Sequence, residues 1–105
     1  MTSEYTAHVQ VPDAAIGAVL HEVLLGHQAV TCATLRSGNG TWLSYGFNAH
    51  SDDEASMVAS SIRYHASRQE NVTVPAGYEV ASLRSFEVAP MIVTQGRVVI
   101  HSEGI

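Results

Sequence analysis

Residues 35 to 47 read LRSGNGTWLSYGF, and the meaning of the Gly38-Asn39-Gly40 step inside them decides the fold. A Gly-x-Gly step can cradle a phosphate, but only where the glycines open a helix whose first amides hold the anion. Here Thr41, Trp42, Leu43, Ser44, Tyr45 and Phe47 follow, which are residues that favour a pleated, half-buried strand. The step is therefore a chain reversal. Residues 28–36 and 41–47 are predicted to pair as an antiparallel hairpin around it.

On the N-terminal side, residues 5–11 (YTAHVQV) alternate, with Tyr5, Ala7, Val9 and Val11 on one face and Thr6, His8 and Gln10 on the other. Pro12 ends this strand. Asp13 then suits the N-cap of a helix whose Ile16, Val19, Leu20, Val23 and Leu24 form one apolar stripe, with Gly26 as its stop.

On the C-terminal side, Ser51-Asp52-Asp53-Glu54 has the form of a capping box. Ala55, Val58, Ala59, Ile62 and Ala66 follow at helical spacing, so a second helix is predicted over residues 52–69. Pro75-Ala76-Gly77 marks a turn, and residues 78–88 are expected to form a strand. Because Val80, Leu83 and Phe86 repeat at three rather than two, a bulge is expected between Ala81 and Ser85. Ala89-Pro90 breaks the run, and residues 91–100 (MIVTQGRVVI) read as a closing hairpin around Gln95-Gly96.

The expected fold class is α+β: a single domain over residues 1–105, built as a two-layer, ferredoxin-like βαββαβ sandwich with an added C-terminal β-hairpin. Two helices with one apolar stripe each are accommodated side by side on one face of an antiparallel sheet. Another strand order is the alternative.

Composition bounds the function. The net charge is −5, and all five cations are arginines, with no lysine. Five scattered arginines among ten carboxylates cannot build the basic stripe that nucleic-acid binding requires, so no nucleic-acid partner is expected. No run approaches the roughly 18 apolar residues of a membrane span, and the first ten residues lack a secretory pattern, so a soluble, cytoplasmic protein without a membrane partner is expected. Cys32, the one cysteine, excludes an internal disulfide. The lack of lysine fits a GC-rich coding sequence, as in an accessory factor of a bacterium or its phage.

A sandwich of this kind leaves one sheet face without helices. Strand alternation places His8, Gln10, Trp42 and Ser44 on that open face, where an exposed indole calls for a partner: a second copy, the C-terminal hairpin, a ligand or another protein. A second candidate, for a small polar ligand, lies where the third strand enters the second helix: Asn48, His50 and Ser51, with Arg63 and His65 further along that helix.

The six histidines have no metal-ligand spacing, Cys32 sits among small apolar neighbours as a buried hydrophobe would, and no serine lies in a Gly-x-Ser-x-Gly elbow. Accordingly, no catalytic residue, metal or cofactor is expected. The sequence leads to a non-enzymatic interaction or regulatory protein. It is expected to form a homodimer and to meet a host or regulatory protein through the open face or its acidic surface. The alternative is a small-molecule binder or minor enzyme with a pocket between sheet and helices near Trp42, Tyr45, His8 and His50.

Overall fold

The structure is a computed structural model that describes residues 1–38, 40–69 and 72–96. Its elements are β1 (Ser3–Val11), α1 (Ala14–Leu25), β2 (Cys32–Gly38), β3 (Gly40–Ala49), α2 (Asp52–Ser67), a 3₁₀ turn (Val80–Arg84) running into the short α3 (Ser85–Val88), and β4 (Met91–Gln95). The four strands form one antiparallel sheet in the order β2-β3-β1-β4.

β2 and β3 are a hairpin that pairs as far as Gly38 opposite Gly40. Gly40 has φ +88°, a conformation that glycine adopts without a Cβ clash, so the opening Gly-x-Gly step does reverse a strand. β2 begins later than expected because residues 27–30 form a turn: the Val30 amide donates to the His27 carbonyl and the Ala29 amide to His27 Nδ1.

Both long helices are capped by the residues their sequences offer. Asp13 accepts the Ile16 amide at 2.9 Å, and Ser51 Oγ accepts the Glu54 amide at 3.1 Å. Glu54 reaches back one residue beyond the usual capping box, and its Oε1 accepts the His50 amide at 2.8 Å.

Alternation divides the sheet cleanly. Tyr5, Ala7, Val9 and Val11 of β1 and Leu43, Tyr45, Phe47 and Ala49 of β3 are buried with Ile16, Leu20 and Leu24 of α1 and with Ala55, Ala59 and Ile62 of α2. This is the helix-covered face. Gly17 lets α1 approach β2 closely, since a Cβ there would stand 2.7 Å from Leu35 Cδ1.

Residues 78–88 depart from expectation. From Val80 to Val88 they are helical where a bulged strand was predicted, and among the described residues the sheet's fourth strand is β4, the first arm of the predicted closing hairpin. The reason lies in the spacing already noted: a repeat of three is a helical period, and it turns Leu83 and Phe86 together into the core, where both are fully buried. The second arm of that hairpin, with Arg97 and His101, falls outside the described residues, as do Asn39 and Asn71. Among the described residues, no helix is long and apolar enough to cross a membrane.

Candidate functional site

Register brings the four predicted residues of the open face together. His8 pairs with Ser44 and Gln10 with Trp42 across β1 and β3, so the four form a two-by-two block. The flanking strands extend each row. Arg36 of β2 stands opposite Trp42, Thr34 opposite Ser44, and Ile92 of β4 opposite His8.

His8 sits at the centre of a short polar chain. Its Nδ1 lies 2.8 Å from Ser44 Oγ and its Nε2 3.3 Å from Thr94 Oγ1, so one ring links β3, β1 and β4. Burial, and secondarily the Arg36 guanidinium, hold the imidazole below its ordinary pKa, because both disfavour a second positive charge there. A serine hydrogen-bonded to a neutral imidazole has the first two parts of a nucleophilic pair, but the backbone amides beside it are committed to ladder pairing rather than aimed at a developing oxyanion.

Exposure varies across this face. Thr6, which donates through Oγ1 to the Gly96 carbonyl at 2.8 Å, is buried, as is Ser44. Arg36, Gln10 and Thr94 are exposed, Trp42 is half-buried, and Ile92 keeps 56% of its surface in contact with solvent. Cys32 also lies on this face, opposite Gly46; it is the first residue of β2 and half-exposed, not a mid-strand buried residue as expected.

The second predicted cluster does not assemble. Asn48 is exposed opposite Glu4, on the face away from the helices. His50 turns its Nδ1 to the Met1 carbonyl at 3.2 Å, and Ser51 is the α2 cap. Arg63 lies twelve residues beyond Ser51, about 18 Å along a helix, where its Nη1 donates to the Ala89 carbonyl. His65 lies against His27, their ring centres 6.3 Å apart. His50, Ser51, Arg63 and His65 therefore make separate structural contacts, and Asn48 faces solvent on the other side of the sheet.

The pocket expected between sheet and helices near Trp42, Tyr45, His8 and His50 is likewise not formed by those residues. Tyr45 is fully buried on the helix-covered face, Trp42 and His8 project from the other, and His50 sits at the far end of β3. Concavity occurs elsewhere. A groove of about 1020 Å³ runs along the outer side of α1, with Ala15, Ala18, Val19 and Val23 on one wall, Val72 and Pro75 on the other, and His27 and Gln69 at one end. Its signal was in the sequence: His21 and Glu22 are the only polar residues in Ala14–Leu25, so α1 has apolar surface beyond its core stripe. A smaller recess of about 220 Å³ lies between Tyr5, Asp52, Ser56, Val93 and Gln95.

Among the described residues, no three histidines, cysteines or carboxylates approach closely enough to hold a metal ion. Comparison with protein-family models, with curated proteins and with solved structures finds no match. The functional reading therefore rests on the surfaces themselves.

Proposed function

We propose that this chain is a non-enzymatic interaction protein that pairs with a second copy of itself through the open face of the sheet. The observation that carries this reading is the row Arg36, Trp42 and Gln10, an aromatic ring flanked by two long polar side chains on a face that also exposes Ile92. Aromatic residues and arginine are enriched at the centres of protein interfaces, and a symmetric pair is the commonest assembly. A cytoplasmic setting and a regulatory partner protein belong to the same proposal. So does the finer description of the fold as a ferredoxin-like sandwich, supported by the two central strands β1 and β3 and by the two long helices following β1 and β3.

Light scattering across a concentration series tests the reading. The wild type is expected to have the mass of two chains, and Trp42→Glu the mass of one with its helical circular dichroism retained. A wild-type mass of one chain up to high micromolar concentration would sink the proposal.

A second reading, a binder of small apolar molecules, is favoured by the groove along α1, whose volume is at the upper end of the range for ligand pockets. Its test is a fluorescent apolar probe: binding should be lost when Ala18→Trp fills the groove, and Trp42→Glu should leave it unchanged.

A further inference from the structure

Charge on the open face is segregated along the strands. Among its described residues, Arg36 is the one arginine and Glu4 the one carboxylate. Arg36 shares a row with Trp42 and Gln10 at one end; Glu4 shares a row with Asn48 at the other. The two rows are six residue steps apart along β1, from Glu4 to Gln10, which is about 20 Å of extended chain. Between them lie Thr34, Ser44, Ile92, Cys32, Gly46, Thr6 and Thr94, together with His8.

Among the described residues, the Arg36 guanidinium takes part in no ion pair or hydrogen bond. Its guanidinium offers five donors in a fork that matches a carboxylate. Glu4 is already engaged in its own chain, but an ionised carboxylate has about four acceptor positions and can take a further donor.

Resting on the reading that the open face is the pairing surface, we infer that the two copies pack with their strands running in opposite directions, so that Arg36 of each meets Glu4 of the other. Two ways of laying this face on itself differ in sign. A two-fold axis along the strands superimposes the Arg36 ends and concentrates like charge. An axis across the strands brings each Arg36 end onto the other copy's Glu4 end; each strand then lies over its own counterpart, so Arg36 on β2 reaches sideways across two strands, about 10 Å, to Glu4 on the partner's β1, and two identical contacts form, as an isologous interface requires. Opposite charges at an interface fix register and orientation, and like charges facing each other penalise the wrong arrangement. The face therefore carries its own orientation code.

A charge exchange tests this. Arg36→Glu and Glu4→Arg, each alone, are expected to weaken self-association at least about tenfold, because each homodimer then holds two like-charge contacts. Mixed in equal amounts, the two variants should form a one-to-one heterodimer at concentrations where each is a monomer, since both contacts in the mixed pair are then of opposite sign. In wild type, the dissociation constant should rise with salt, and Arg36→Gln should flatten that dependence. This salt measurement also covers the case in which Glu4→Arg fails to fold. If the single variants stay dimeric, or folded variants stay monomeric when mixed, the orientation is wrong even where Trp42→Glu still dissociates the pair. If wild type is a monomer, the pairing surface itself falls and the orientation with it.

Discussion

The Tyr45 hydroxyl donates a 2.7 Å hydrogen bond to the backbone carbonyl of Ala59, joining the middle of β3 to the middle of α2 inside the core. Burial raises the phenol far above its ordinary pKa, the nearby Arg63 opposing this only in part, so the group remains a donor throughout the working pH range. Tyr45→Phe keeps the packed ring and removes the bond. It is expected to cost about 1 kcal/mol, read as a lower urea midpoint with an unchanged slope, and an unshifted midpoint would show that the contact contributes nothing.

Gly46 tests how closely β2 and β3 approach near the start of β2. A Cβ at this position would stand 2.8 Å from Thr31 Oγ1 and 2.9 Å from Cys32 Sγ. Gly46→Ala therefore has to shift the Thr31 and Cys32 side chains where the chain enters β2. A loss of about 1–3 kcal/mol is expected, together with faster reaction of the Cys32 thiol with a disulfide reagent. Unchanged stability and thiol reactivity would mean that the strand end yields without strain.

The cap of α2 separates two uses of the strand-to-helix junction. If Ser51 is there to hold the helix, Ser51→Ala should destabilise by about 1 kcal/mol and Ser51→Asp should keep most of the stability. The three carboxylates of the first turn make the aspartate the less comfortable of the good caps, since it adds a fourth negative charge beside Asp52, Asp53 and Glu54. Thermal unfolding of the two variants measures the difference, and equal losses would count against a cap role.

What could be read from the sequence depended on whether the signal was local. Strand alternation in Tyr5 to Val11 and the caps Asp13 and Ser51 are local, and each appears in the structure with the expected geometry. The same alternation was enough to collect His8, Gln10, Trp42 and Ser44 on one face. Residues 78–88 differ because the three-residue repeat of Leu83 and Phe86 reports a helical turn and not a bulged strand. Of the candidate cluster Asn48, His50, Ser51, Arg63 and His65, the last two stand apart from the first three, because a helix carries its residues away from its own N-terminus by about 1.5 Å each. The groove along α1 was missed because its second wall, Val72 and Pro75, comes from a link whose placement no periodicity encodes.

His8 gives the fold a pH dependence whose sign can be worked out. Its ordinary pKa is 6.5, and burial, then the Arg36 charge, lower it in the folded chain. Between the two values the unfolded chain binds more protons than the folded one, so stability falls as pH drops through 6.5 toward the folded value and levels off below it. Above that window His8 is neutral in both states and contributes no slope. Asp13 acts in a separate range: the Tyr78 hydroxyl and the Ile16 amide lower its carboxyl below 3.8, so its contribution is lost only in stronger acid. Urea midpoints measured from pH 8 to pH 5 on wild type and His8→Gln should therefore converge as pH falls, with the variant the flatter of the two. Arg36→Gln should give an intermediate slope by removing the lesser cause alone. Parallel curves for wild type and His8→Gln would mean that the imidazole titrates as it does in the unfolded chain, and the polar chain through Ser44 and Thr94 would then have no influence on its protonation.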